Sequence, residues 1–311
     1  MTGEKKYVII YNPRARNAAK LSTDEISALL TDSGVNYSIY TTKARGDGIM
    51  LAQSAVDEGA SRIYAAGGDG TLNEVVSGLM SLKKAVELPE VCPVPLGTVN
   101  VFAKEMGFSC DALSAFKQSL SATAVPMDIG GCDERYFIMM ASAGLDGFVV
   151  SELEKMIACD SKIKKLGGSL AYVAVGLKAI FKYGFPKFKV TARSVFGVKD
   201  FYADFVVVSN IRYYGGKFVL SPGADPCDGY LDLFMLNSNG VKDYFKFFFD
   251  VIFKRLEFNG LDVSRYRIKE CEVAYVGSER ETYSQIDGEL YKKPPVKIKI
   301  YEKALKLVVV K

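Results

Sequence analysis

The sequence contains no histidine. That absence removes Ser-His-Asp triads, Cys-His dyads and His-ligated zinc together. Any general base must then be Asp, Glu, Lys, Tyr or Cys. The six cysteines, Cys92, Cys110, Cys132, Cys159, Cys227 and Cys271, form no C-x-x-C pair. Scattered cysteines in a chain of this size read as reduced thiols in a cytosolic protein. The apolar run at residues 7–11 is too short for a signal sequence or a membrane span, and Asn12-Pro13 ends it. Forty basic residues against 36 acidic ones leave a net charge of +4. That balance gives no case for nucleic-acid binding across the whole chain. The expectation is a soluble cytoplasmic protein.

The 311 residues predict two domains. The first third alternates short apolar runs with helical spacing. Residues 7–11 and 63–66 read as buried strands, and Val35, Tyr37 and Ile39 as an alternating one. Ser22-Thr23-Asp24-Glu25 reads as a capping box, with Ile26, Leu29 and Leu30 at helical spacing and Gly34 as the stop. This rhythm predicts a parallel sheet with helices on its faces, where ligands bind beyond the carboxyl ends of the strands. From about Met127 the pattern changes. Apolar runs at residues 136–140, 188–192, 201–209, 231–236, 268–276 and 296–301 predict a mainly antiparallel β domain. Two helices are expected within it, near residues 170–183 and 243–256.

Gly67-Gly68-Asp69-Gly70-Thr71 follows a strand and opens a helix. Glycines allow close backbone approach, and amides at a helix N-terminus favour an anion. Asp69 repels phosphate unless a magnesium ion bridges them. Thr71 can cap the helix. The alternative is a tight strand–helix turn with Asp69 as a surface cap, and the pentapeptide alone does not separate the two. The loop is neither Walker A nor G-x-G-x-x-G.

Further motifs stand in order along the chain: Tyr11-Asn12-Pro13, Gly67-Gly68-Asp69-Gly70-Thr71-Leu72-Asn73-Glu74, Pro95-Leu96-Gly97-Thr98-Val99-Asn100-Val101-Phe102-Ala103, Asp225-x-x-Asp228-Gly229-Tyr230-Leu231-Asp232, and Asp287-Gly288-Glu289. Together they resemble the diacylglycerol kinase catalytic-domain family, especially its soluble bacterial lipid kinases, over essentially the whole chain. The resemblance implies an α/β nucleotide-binding domain over residues 1–126, joined by 303–311, and a β-rich lipid-substrate domain over 127–302. It implies an active site in the interdomain cleft, with ATP as co-substrate and Mg2+. It carries nucleotide contacts onto Asn12, Pro13, Arg14, Ala15, Arg16, Thr42, Gly67, Gly68, Asp69, Gly70, Thr71, Leu72, Asn73 and Thr98, with Asn100 as a further contact. The family's Asn-Pro-x-Ser-Gly is Asn12-Pro13-Arg14-Ala15-Arg16 here. The two arginines either supply charge to the phosphates or are solvated surface residues.

With no histidine, a carboxylate is the natural proton acceptor for phosphoryl transfer to a hydroxyl. Asp287-Gly288-Glu289 taken alone reads as a hairpin turn with exposed acids. The resemblance makes it the catalytic motif, with Glu289 as acceptor and Asp287 orienting it or holding magnesium; the reverse assignment stays open. Asp225, Asp228 and the Tyr230 carbonyl match a structural magnesium site, as distinct from the catalytic magnesium at Asp69. An acidic turn is the alternative.

The implied acceptor is a lipid alcohol at a peripheral membrane surface. Residues 160–200 hold nine Lys or Arg and two Asp, a local +7 with aromatic residues interleaved. Residues 243–257 place Phe245, Phe248, Phe249, Ile252, Phe253 and Leu256 at helical spacing beside Lys242, Lys246, Lys254 and Arg255. That stripe resembles an interfacial helix, although a core-facing helix is the commoner explanation. Two rivals to a lipid kinase are an NAD kinase-like phosphotransferase and a non-catalytic nucleotide- or lipid-binding regulator.

Overall fold

A computed structural model describes residues 5–82, 87–159, 169–194, 197–216, 218–277 and 282–310. The chain forms two compact units, Met1–Asp128 with Lys303–Lys311, and Ile129–Glu302.

The first unit runs β1 (Lys6–Tyr11), α1 (Thr23–Asp32), β2 (Asn36–Thr41), α2 (Asp47–Asp57), β3 (Arg62–Gly67), α3 (Asp69–Leu82), β4 (Glu90–Pro95), α4 (Val101–Glu105) and α5 (Ala112–Ser121). Its strands lie parallel in the order β2-β1-β3-β4. Val8, Ile9, Ile10, Ile63, Tyr64 and Ala66 are completely buried. A parallel sheet covered on both faces needs such near-continuous apolar runs. The capping box forms as read. Ser22 Oγ accepts from the Glu25 amide at 3.2 Å, and the Glu25 carboxylate accepts from the Ser22 amide at 2.8 Å. Gly34 follows at φ +65, a conformation that suits glycine.

The second unit begins within β5 (Thr123–Cys132) and continues through β6 (Arg135–Phe137), β7 (Met140–Gly144), α6 (Leu145–Cys159), α7 (Ser169–Tyr183), β8 (Phe188–Ser194), β9 (Gly197–Ala203) and β10 (Phe205–Ser209). After the short pair β11 (Tyr213–Tyr214) and β12 (Phe218–Val219) come β13 (Leu231–Leu236), α8 (Val241–Ile252), β14 (Val263–Ile268), β15 (Glu270–Tyr275), β16 (Ser284–Ile286) and β17 (Glu289–Leu290). In β18 (Val296–Val309) the chain passes back to the first unit, where Leu307 pairs in parallel with Val91.

One antiparallel sheet has the order β14-β13-β10-β7-β16-β17. Its strands alternate between two cores. Val206, Val208, Leu231 and Leu233 face a second sheet built on β15, β8 and β9, while Phe205, Val207, Phe234 and Leu236 pack with Val149, Ile180, Tyr244 and Phe247 from α6, α7 and α8. Period-2 alternation with both faces apolar places this sheet between a β layer and a helical layer.

Two expected strands are divided. The run at 136–140 breaks at Ile138-Met139, and the run at 201–209 breaks at Asp204. In addition, α6 is a third helix beside the two expected in this unit. Asp204 is wholly buried. It accepts from Lys187 Nζ at 3.0 Å, Ser238 N at 3.0 Å, Ser238 Oγ at 2.6 Å and Tyr244 OH at 2.9 Å. A buried carboxylate is tolerated when each oxygen is satisfied in this way. Asp204→Ala is expected to cost about 3 kcal/mol, read as a lower midpoint in urea with an unchanged slope.

Candidate active site

In the first unit the Gly67–Gly70 loop and the Pro95–Ala103 segment clasp each other. The amides of Leu96 and Gly97 donate to the Gly67 carbonyl at 2.8 and 3.1 Å. Gly68 and Gly97 touch backbone to backbone: a Cβ on Gly97 would lie 2.5 Å from the Gly68 Cα. Gly97 must therefore be glycine, and a Cβ on Gly68 would press on the Gly97 Cα at 3.2 Å. Asn100 sits in the left-handed region at φ 52, and its Oδ1 accepts from the Gly97 amide at 2.8 Å. Asn12 ties β1 to the same place, donating from Nδ2 to Thr71 Oγ1 at 3.0 Å. Two motif segments and the end of β1 thus meet at the carboxyl edge of the parallel sheet.

Several expected ligands prove to be builders of this site. Asp69 was expected to hold magnesium. Its carboxylate accepts from the amides of Val101 and Phe102 at 3.0 and 3.2 Å, capping α4. Burial pushes its pKa up while those two hydrogen bonds pull it down. Thr71 is not the cap of α3: it lies inside the helix, buried, with Asn12 on its hydroxyl. Leu72 is a core side chain, and Thr42 is a buried continuation of β2 whose amide donates to the Tyr11 carbonyl at 2.9 Å. Asn73 Oδ1 accepts from Ser77 at 3.3 Å.

What remains open to a ligand is largely backbone. First-turn amides of a helix such as α3 have no intrahelical partner. Gly70 and Thr98 are exposed, as are Pro13, Arg14 and Arg16, with Ala15 half-buried beside them. In the turn after β1, the Arg14 amide donates to Asn12 Oδ1 at 3.0 Å and the Ala15 amide to the Asn12 carbonyl at 3.1 Å. Asn12 therefore closes this turn with its own side chain and carbonyl. A pocket of ≈ 120 Å³ adjoins the clasp, lined by Asn17, Thr98, Asn100, Lys104 and others.

Sequence reasoning missed Glu74 and Asn17 as builders. Glu74 accepts from the amides of Gly46 and Gly48 at 2.8 and 3.0 Å, at the start of α2. Asn17 Nδ2 donates to the Gly97 carbonyl at 2.7 Å. Glu74 was visible as part of the octapeptide; nothing local marked Asn17.

In the second unit Asp287 and Gly288 form a two-residue hairpin turn between β16 and β17, with φ of 48 and 85. Positive φ at both positions is what a type I′ turn requires. The Asp287 carboxylate accepts from three amides, Ile138, Met139 and Met140, at 2.9, 3.0 and 2.9 Å. Its oxygens thereby hold the 138–140 segment. Glu289 is different. Its side chain is 36% exposed and meets Arg135 at 3.5 Å. A half-exposed pair of this kind is weak and easily rearranged.

The hairpin has a buried support that the sequence did not reveal. Gln285 Oε1 accepts from the Gly288 amide at 2.6 Å, and its Nε2 donates to Asp146 Oδ2 at 2.8 Å. Ser142 and Tyr214 also donate to Asp146, at 2.7 and 3.1 Å. No cation is among these partners, and burial raises the Asp146 pKa above the usual carboxylate value. A raised acid binds more protons folded than unfolded. Stability is therefore expected to fall as pH rises from the unfolded pKa through the folded one, and to level off above it. Thermal midpoints followed against pH should show this decline, and Asp146→Asn should flatten it.

The Asp225–Tyr230 turn brings together the residues expected at a magnesium site. Asp225 Oδ1 accepts from the Cys227 amide at 3.0 Å, and Asp228 Oδ1 from the Tyr230 amide at 2.9 Å. The other Asp228 oxygen is paired with Arg267, whose guanidinium also lies 4.5 Å over the Tyr230 ring. Carboxylate and carbonyl oxygens suit Mg2+ in kind, and Arg267 lies beside them. Among the described residues no three acidic or thiol groups converge on a metal position.

The chain matches known proteins in both halves. Residues 6–132 match the diacylglycerol kinase catalytic domain family, and residues 140–309 the YegS C-terminal NAD kinase beta sandwich-like domain family. A diacylglycerol kinase of Bacillus subtilis (strain 168) is 30% identical over 247 residues, 78% of this chain and 77% of that one. A diacylglycerol kinase of Staphylococcus carnosus (strain TM300) is 33% identical over 177 residues, 57% of this chain and 55% of its own length. A crystal structure described as a diacylglycerol kinase from Bacillus anthracis str. Sterne superposes with a TM-score of 0.68 at 20% identity, over 99% of this chain and 98% of that one. A second structure from that organism superposes at 0.76 and 24% identity, over 98% and 95%. These superpositions show the fold. Both domains are matched, and the Bacillus subtilis relative spans most of each sequence, so the chain belongs to the diacylglycerol kinase catalytic-domain family.

Proposed function

We propose that this chain is an ATP-dependent lipid kinase. It transfers the γ-phosphoryl group to a hydroxyl of a membrane lipid such as diacylglycerol. The observation that carries the reading is the clasp of Gly67–Gly70 against Pro95–Ala103, which presents backbone amides at the head of α3. ATP phosphates sit against those amides, with Thr98, Asn100 and the Asn12–Arg16 turn as further contacts and the exposed Arg14 and Arg16 supplying charge. The first unit is then the triphosphate-binding domain and the second the lipid-substrate domain.

Glu289 takes the proton from the lipid hydroxyl. The hydroxyl oxygen forms a bond to the γ-phosphorus as the β,γ-bridging bond breaks and ADP leaves. Its accessible carboxylate supports that role over Asp287, whose oxygens are bonded to three amides. Asp287 instead positions the turn. Mg2+ would neutralise charge on the phosphates near Asp69, and Asp225, Asp228 and the Tyr230 carbonyl would supply oxygen ligands to a separate structural site. No helix among the described residues is long and apolar enough to cross a membrane, which fits peripheral contact with the bilayer that holds the acceptor. Incubation with ATP and a panel of lipid alcohols, followed by mass spectrometry, tests the reading. Phosphorylated lipid is the expected product. NADP formed from NAD would favour the NAD kinase-like reading, and ATP binding without transfer to any acceptor the regulator.

A further inference from the structure

The helix α8 is aromatic on two faces. Tyr244, Phe247, Phe248 and Val251 fill the core beneath the antiparallel sheet. The stripe read from the sequence is mostly the other face: Phe245 is 39% exposed, Phe249 47%, Ile252 42% and Phe253 59%, while Phe248 and Leu256 turn inward. The core is thus served by a separate set of side chains. The outer stripe continues onto α7, where Phe181 is 69% exposed and its ring lies 5.5 Å from Phe245. The rings of Phe249 and Phe253 are tilted against each other with centroids 4.3 Å apart. Four phenylalanines and an isoleucine form one contiguous apolar patch, which a soluble surface rarely leaves bare.

The rim is cationic. Lys178 and Lys182 flank Phe181 on α7, and Lys242, Lys254 and Arg255 are exposed along α8 and its end. The nearby acids are directed elsewhere. Asp243 accepts from the Asn239 amide at 2.8 Å, Asp250 is buried against Lys246 at 2.9 Å, and Glu257 accepts from Asn259 at 3.1 Å. A two-fold pairing of this face with a second copy would set lysines against the same lysines. Aromatic rings ringed by lysine and arginine match instead the interface of an anionic bilayer, with rings at headgroup depth and cations on the lipid phosphates. We propose that the α7–α8 face docks this protein onto anionic membranes. The basic stretch at 160–168 lies outside the described residues and carries none of this argument.

The inference names the surface by which the proposed kinase would reach a bilayer-borne acceptor, and in that sense rests on that reading. Vesicle co-sedimentation without ATP tests the docking separately. Phosphatidylcholine vesicles with and without phosphatidylglycerol are compared for the wild type, for F245S/F249S/F253S and for the charge-reversal variant K242E/K254E. The wild type is expected to bind the phosphatidylglycerol vesicles preferentially. The aromatic variant should bind them about 50-fold more weakly, and the charge-reversal variant about tenfold more weakly at low salt. Both should phosphorylate a monomeric short-chain diacylglycerol as the wild type does. The altered side chains lie on the surface, so folding should survive; if the aromatic variant fails to fold, the charge-reversal variant still decides. Equal vesicle binding by wild type and variants overturns the proposal. So does an aromatic variant that binds normally but converts a dimer to a monomer, since the face would then cover a second copy. Vesicle binding with no lipid phosphorylated would sink the kinase reading and leave the docking face standing.

Discussion

Glu289→Gln is expected to lower lipid phosphorylation by about 10²–10⁴ while ATP affinity and thermal stability stay near wild type. The substitution keeps the size of the side chain and removes the proton acceptor. Glu289 meets Arg135 in a half-exposed pair at 3.5 Å, so little stability is at stake. Asp287→Ala should behave differently two positions earlier. It leaves three backbone amides without their acceptor, at a cost of about 2 kcal/mol or more. Its loss of activity should therefore come with a lower unfolding midpoint. Direct measurement of ATP binding, turnover and melting on both variants separates a base from a positioning residue. Retained turnover in Glu289→Gln would take the base role away from it.

Gly97→Ala carries the second large effect. A Cβ there would lie 2.5 Å from the Gly68 Cα and 2.6 Å from Asn100 Oδ1, and the first of these is backbone that has no rotamer to yield. Overpacking of that kind costs about 1–3 kcal/mol. Relief requires the two loops to part, which displaces the amides proposed to face the triphosphate. ATP affinity is expected to fall at least about tenfold. Gly176→Ala is the control: in α7 the added methyl meets its neighbours at 3.7 Å, an ordinary contact, and helix propensity favours it by up to about 1 kcal/mol. Isothermal titration with ATP distinguishes them. Wild-type affinity in Gly97→Ala would mean that the clasp does not shape the nucleotide site.

The parallel half of the fold was legible because its signals are local. A capping box, an apolar run ending in Asn-Pro and a glycine stop each specify their own conformation, and β1, α1 and β3 follow them. The antiparallel half was read as a set of strands, but one of its runs breaks where the part-buried Asp287 takes its amides and another at the buried Asp204. Asp287 gathers amides roughly 150 residues away in the chain, and no local pattern reveals such a bond. The same limit explains the acidic residues. Asp69 and Asp228 have the chemistry of metal ligands, and the sequence shows that chemistry. It does not show that Val101, Phe102 and Arg267 also bind them. For α8, the spacing of aromatics identified an amphipathic helix, while the face that meets the core depends on neighbours brought from α7 and β13.

The central claim is phosphoryl transfer from ATP to a lipid hydroxyl. Purified protein incubated with γ-labelled ATP and diacylglycerol in mixed micelles tests it most directly, with the lipid phase extracted and counted. The account predicts label in a phosphorylated lipid for the wild type and a near-complete loss of it for Glu289→Gln. A folded, ATP-binding wild-type protein that leaves every lipid alcohol in the panel unlabelled would contradict it.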